Sequence, residues 1–192
     1  MPGIDRPRIE AAVAEILAAI GEDPARPGLE STPSRVADAY AEFFAGIGRD
    51  AAADLGEPVP LEDGRTAETV LLRDIEFRSV CEHHLLPFLG VAHVAYLPGD
   101  TVVGLGRIPR VIETLSARPT LQERLTEQIA DTIEEGAAAR GVLVVLDAAH
   151  SCVTTRGPRQ TGSTTVTVAA RGAFADPIAR AELMALIGRG VA

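Results

Sequence analysis

Lysine is absent from this chain, and all 18 of its Lys/Arg positions are arginine. In an alanine-rich sequence this reads as compositional bias rather than a functional signal. Acidic residues number 27, which leaves a formal net charge of −9. That balance argues against nonspecific nucleic-acid binding. It also repels an anionic ligand unless arginines gather locally. Long apolar runs are missing as well: none approaches the roughly 20 residues a membrane helix needs. Met1-Pro2-Gly3-Ile4-Asp5 is not a basic segment leading into an apolar one, so no signal peptide is expected. The expectation is a soluble, cytoplasmic protein with no nucleic-acid and no membrane partner. Its 192 residues, 46% hydrophobic, suffice for one globular domain with a helical appendage.

Cysteine is scarce, and its placement is informative. The only two cysteines lie beside three of the four histidines, in Cys81-Glu82-His83-His84 and His150-Ser151-Cys152. In a reducing compartment two cysteines more often bind metal or act in catalysis than form a disulfide. Thiolate and imidazole are ligands zinc prefers, and two thiolates favour zinc over iron or manganese. Cys81, His84 and Cys152 would supply three ligands and leave a fourth position open, as catalytic zinc sites do. The residues alone leave open which of His83 and His84 binds. The three-residue spacing from Cys81 favours His84 and leaves His83 free for proton transfer. If His150-Ser151-Cys152 stays extended, His150 and Cys152 project to one face. His150 then lies near the metal as a candidate acid or base. His93, mid-strand and remote from both clusters in sequence, reads as structural.

Periodicity supplies the frame. Ile9, Val13, Ile16, Leu17 and Ile20 recur at helical spacing and stop at Gly21. Thr32 is expected to cap a second helix, with Pro33 at its first position and Val36, Tyr40, Phe43, Phe44 and Ile47 as its apolar stripe. Residues 48–68 are polar and turn-rich. A boundary there separates a helical region, 1–68, from a main domain, 69–192. Strands are expected at Thr69–Val80, with a bulge where the alternation slips near Arg73-Asp74, at Gly90–Leu97 and at Thr101–Val103. A short helix at Pro109–Leu115 precedes a longer one marked by Leu121, Leu125, Ile129 and Ile133. Val142–Ala149 and Ser163–Ala170 read as a strand and its return partner, and Pro177–Ile187 as a final helix. The pattern is an α+β domain with an antiparallel sheet, a helical pair inserted between its hairpins, and an N-terminal helical extension.

Four blocks occur in order: Ser79-Val80-Cys81-Glu82-His83-His84, Gly104-Leu105-Gly106-Arg107-Ile108-Pro109-Arg110, Gln122-Glu123-Arg124-Leu125-Thr126, and His150-Ser151-Cys152 followed by Arg156-Gly157. They resemble the signature blocks of the GTP cyclohydrolase I family, over about Leu29 to Ile187. The resemblance implies the tunnelling fold (T-fold) and a toroidal homodecamer with active sites at subunit interfaces. It implies conversion of GTP to 7,8-dihydroneopterin triphosphate and formate, the entry to folate and related pterins. By the same resemblance Cys81, His84 and Cys152 hold Zn2+, and His83 and His150 handle protons. Glu123 reads guanine, with Gln122 beside it as a further donor and acceptor. Arg110 and Arg156 hold the triphosphate, joined by Arg107 and by Arg35 from a neighbouring subunit.

The chain departs from the family pattern in places. Gly106-Arg107 stands where Ser-Lys is usual, and Asp38 where a lysine is common. Gln160 and Thr161 replace a commonly basic or amide-bearing pair. These changes bear on the phosphate grip, not on zinc or guanine recognition. They leave as alternatives a divergent paralogue acting on a differently phosphorylated guanine nucleotide in secondary metabolism, and a non-catalytic T-fold protein binding a purine or pterin. A nitrile reductase of the queuosine pathway, which uses a cysteine nucleophile, is a further reading that bound zinc would exclude.

Overall fold

The computed structural model describes residues 3–61 and 68–188. Residues 62–67, part of the expected polar connection, lie outside the described residues, as do 1–2 and 189–192. Helix α1 (Arg6–Ala19) starts at Asp5, whose carboxylate accepts from the Arg8 backbone N–H. Helix α2 (Thr32–Phe43) packs beside it, and Arg6 pairs with Asp38 across the two at 3.0 Å. The cap of α2 is Ser31, not the expected Thr32. The Thr32 N–H is already given to Leu29 O at 2.9 Å, and that turn draws Thr32 into the helix as its first residue.

A short 3-10 turn, Ala52–Leu55, leads to β1 (Val59–Pro60), β2 (Val70–Cys81), β3 (Pro87–Leu97) and β4 (Thr101–Val102). Then come α3 (Arg107–Ser116), β5 (Pro119–Thr120), α4 (Gln122–Gly136), β6 (Gly141–His150), α5 (Ser151–Thr154), β7 (Thr165–Gly172) and α6 (Pro177–Gly188). The main sheet runs β5-β2-β3-β6-β7. Its four long strands are antiparallel to their neighbours, and β5 joins the end of β2 in parallel. The expected α+β architecture with an antiparallel sheet is therefore present. The two-residue strands β1, which pairs with β4, and β5 were not expected from the sequence.

The expected bulge is also present. Leu72 pairs with Val94 but Ile75 with Ala92, and Asp74 takes a left-handed φ of 58° to absorb the extra residue. The Asp74 backbone N–H, released from the ladder, donates to His93 Nδ1 at 3.2 Å. His93 is thus a buried structural acceptor, as its mid-strand position indicated.

Alternation sends β6 side chains to two cores. Val142, Val144 and Leu146 face Ile108 and Ile112 of α3 and Leu125, Ile129 and Ile133 of α4. These helical positions step by three or four, and full burial of each contributes about 1.5–3 kcal/mol. Leu143 and Val145 face the opposite way, toward Phe174 and Leu183 of the C-terminal segment. Ala51 and Leu55 join the first core, and Thr114 Oγ1 donates to Asp54 at 2.6 Å. Contacts therefore run across the expected boundary at residue 68. Strands β3 and β6 approach closely where Gly90 sits: a Cβ there would meet Asp147 O at 2.0 Å. Among the described residues no helix is long and apolar enough to cross a membrane.

Candidate metal centre and active site

Strand β2 delivers Cys81 at its end, 6% exposed, and the chain at once doubles back. Leu85 N–H donates to Cys81 O at 2.9 Å, and Cys81 N–H to Leu86 O at 2.9 Å. Leu85 holds the turn with a left-handed φ of 52°. This compact loop sets His84 Nδ1 4.0 Å from Cys81 Sγ. His83 stays exposed, its ring edge-on to that of His84 at 6.2 Å.

The third member arrives differently from the extended arrangement considered above. Strand β6 stops at His150, and Ser151–Thr154 forms one helical turn. Thr155 closes that turn through its N–H and hydroxyl, both donated to Ser151 O, at 3.0 and 2.6 Å. The shared-face argument for His150 and Cys152 therefore does not apply. Even so, the turn brings Cys152 to the other two: ligand atoms of Cys81, His84 and Cys152 all lie within 4.8 Å of one another.

These three residues fit a metal ion. Bonds of ~2.3 Å to sulfur and ~2.0 Å to nitrogen place tetrahedral zinc ligands roughly 3.5–3.8 Å apart, so only small adjustments are needed. Burial first, then the neighbouring Cys81, push the Cys152 thiol above its ordinary range. A cation held beside it would favour the Cys152 thiolate.

Beside the cluster stands His150. Its ring stacks on Phe88, its partner in the β3–β6 register, at 4.5 Å and 7°. Burial lowers its pKa below the usual 6.5, and the Glu123 carboxylate opposes that shift. Its Nε2 lies 2.7 Å from Gln122 Oε1. Gln122 itself is 1% exposed, and its amide nitrogen contacts Leu146 O, Thr165 O and Thr167 Oγ1. Burial and internal hydrogen bonds thus engage both ends of the Gln122 amide, which the resemblance had set beside guanine. Glu123, one residue on, is exposed in the first turn of α4.

The arginines lie in three places. Arg107 and Arg110, with Gly104 and Gly106, line a small open cavity of about 200 Å³ at the start of α3. The Arg107 guanidinium packs over Gly56, where a Cβ would lie 3.0 Å from its Cζ. Arg156 is exposed just beyond α5 and near enough to Cys152 to favour its thiolate. Arg35 is exposed in the first turn of α2 and makes no ion pair among the described residues. Asp38, the anion standing where a lysine is common, is occupied by Arg6.

Three supports escaped sequence reasoning. Phe88 needed the β3–β6 register, because the strand was expected to start only at Gly90. The Thr126–Thr167 contact of 2.6 Å behind Gln122 needed α4 laid against β7. The pair Arg124–Glu82, 2.6 Å apart, links two signature blocks, yet charges 42 positions apart carry no local signal.

Residues 9–188 match the model of the family described as GTP cyclohydrolase I. The chain belongs to the GTP cyclohydrolase I family. It is 79% identical to GTP cyclohydrolase 1 of Leifsonia xyli subsp. xyli (strain CTCB07), over all of both chains. With GTP cyclohydrolase 1 of Rhodopirellula baltica it shares 54% identity over 97% of this chain and 80% of that one. Among solved structures, an archaeosine synthase QueF-Like in the apo form is 17% identical, covering 56% of this chain and 97% of its own with a TM-score of 0.44. The GTP cyclohydrolase 1 relatives lend no support to the divergent or non-catalytic alternatives.

Proposed function

We infer that the protein is a zinc-dependent GTP cyclohydrolase I. It hydrolyses the imidazole ring of GTP at C8 and rearranges the product to 7,8-dihydroneopterin triphosphate with release of formate. The observation that carries the reading is the Cys81–His84–Cys152 cluster, two thiols and an imidazole converging beside His150 in a chain of this family. When bound there, zinc supplies Lewis acidity that brings the pKa of water toward neutrality.

The remaining work belongs to side chains. Glu123, an exposed carboxylate next to His150, accepts from the N1–H and 2-amino groups of guanine, donors that adenine lacks. Arg107, Arg110 and Arg156 take the triphosphate, for which guanidinium forks suit bidentate contact. Arg35, exposed and without an ion pair among the described residues, serves the site of a neighbouring subunit in a toroidal homodecamer of tunnelling-fold subunits. His150 and His83 hold and pass protons at the imidazole-ring nitrogens of the substrate, protonation there making C8 electrophilic. The division into a helical region, 1–68, and a catalytic domain, 69–192, and a cytoplasmic location complete the reading.

The test supplies zinc-loaded protein with GTP and measures formate together with a fluorescent pterin after oxidation. Both are expected in equal amounts. No product from GTP with metal present rejects the reading.

A further inference from the structure

The buried amide of Gln122 has only one physically acceptable orientation. Leu146 O at 3.1 Å and Thr165 O at 2.8 Å are backbone carbonyls, which accept and never donate. The amide group facing them is therefore the NH2. Turning it over would press Oε1 against two carbonyl oxygens in a buried site, an arrangement strongly disfavoured. The hydroxyls behind it complete a single ordering of protons. Thr126 donates to Gln122 backbone O at 2.7 Å, so Thr167 donates to Thr126 at 2.6 Å. The Thr167 oxygen is then free to accept from Gln122 Nε2 at 3.1 Å. With its nitrogen so committed, Gln122 presents an oxygen to His150. A carbonyl oxygen 2.7 Å from an imidazole nitrogen requires a proton on that nitrogen.

We propose that Gln122 is a positioning residue that locks His150 with its proton on Nε2, so that Nδ1 is the ring nitrogen that exchanges protons with the substrate. This rests on the cyclohydrolase reading for the identity of that substrate, but the lock itself does not. The other constraints agree. The Phe88 ring, 7° from coplanar with His150, fixes the plane in which the two nitrogens lie. Among the described residues no protein donor meets Nδ1. In this arrangement Gln122 acts through His150 rather than on guanine. Neutral imidazole is donor at one nitrogen and acceptor at the other, and the partner of one decides the task of the other.

Solid-state 15N NMR of zinc-loaded protein carrying 15N-histidine tests this, with only four histidines to resolve. The spectrum is taken in mildly alkaline buffer, where imidazole is neutral. The signals of His150 are assigned by their loss in His150→Asn. Wild-type protein is expected to show a protonated Nε2 and a bare Nδ1 at His150. The opposite tautomer overturns the proposal, whatever any variant does. Gln122→Met keeps the shape and removes the acceptor. It is expected to mix the tautomers and lower kcat roughly 10- to 100-fold, with KM for GTP held within about threefold. A raised KM with unchanged kcat would mean that Gln122 contacts guanine, and also overturns it. Thr167→Val leaves both carbonyl anchors in place and is expected to preserve Nε2–H; should Gln122→Met fail to fold, the wild-type and Thr167→Val spectra still decide. Protein with the expected tautomer but no formate from GTP would sink the cyclohydrolase reading and leave the lock standing.

Discussion

Arg124 reaches from the first turn of α4 to Glu82 in the ligand-bearing turn, 2.6 Å away. Glu82 also gives its backbone N–H to Thr120 O at 3.1 Å. The two residues thus tie the loop that carries Cys81 and His84 to the helix that carries Glu123. We expect Arg124→Ala to lower kcat/KM for GTP about three- to tenfold by loosening that registration. Global stability is expected to change by no more than about 1 kcal/mol, because the pair is partly exposed. Kinetics and thermal unfolding of Arg124→Ala, Glu82→Gln and the double variant check this. The double variant should be no worse than the poorer single one, and full additivity would deny the coupling.

Stripping the metal with a chelator is expected to abolish formate release, and stoichiometric zinc to restore it. Cys152→Ala should bind less than one zinc per chain by elemental analysis and regain no activity on zinc addition. Undiminished turnover by metal-free protein would remove the centre from the chemistry.

Replacing Glu123 by Gln keeps size but offers guanine a donor where an acceptor was. A drop of roughly 10- to 100-fold in kcat/KM is expected. Wild-type enzyme should also prefer GTP to ITP, which lacks the 2-amino group, and Glu123→Gln should lose most of that preference. An unchanged GTP/ITP ratio would assign the carboxylate to the helix start instead.

At Gly56 the backbone has φ 66° and ψ −163°, a region nearly closed to residues with a Cβ. A Cβ there would also press on the Arg107 guanidinium at 3.0–3.3 Å. Gly56→Ala is expected to lose about 1–3 kcal/mol of stability and to raise KM for GTP by displacing Arg107. Thermal unfolding and the comparison with Arg107→Ala measure both effects, and an unmoved KM would show that Arg107 does not need this support.

Burial lowers the pKa of His93 below 6.5, against the opposing pull of Asp74. The unfolded chain then binds the proton more readily than the folded one, so stability increases with pH across this range. It should hold above about 6.5 and fall as pH drops through the folded value. His93→Gln retains an acceptor for the Asp74 N–H and should flatten that slope. Unfolding midpoints at two pH values bracketing 6.5 supply the comparison, and equal slopes would reassign the acid sensitivity to another group.

Much of this was legible in the chain because the signals were local. The bulge showed as a slip in alternation at Arg73-Asp74, and α4 as apolar positions four apart. The three metal-ligand candidates showed as rare residue types at strand ends. What was not legible depended on partners distant in sequence. Val59 and Pro60 become a strand only because Thr101 and Val102 lie beside them. His150-Ser151-Cys152 precedes β-branched Val153, Thr154 and Thr155, which favour extension, yet hydrogen bonds to Ser151 O close a helical turn. Gln122 was found through the family resemblance, but its direction is decided by carbonyls of β6 and β7.

Strands β2 and β6 never hydrogen-bond to each other, since β3 runs between them. An ion shared by Cys81 and Cys152 is therefore a rivet across three strands at one rim of the sheet. Metal starvation should first be felt as fraying of that rim, with faster amide exchange around Cys81–Leu86 and Ser151–Thr155, while the far rim near Leu97 and Gly141 stays shut.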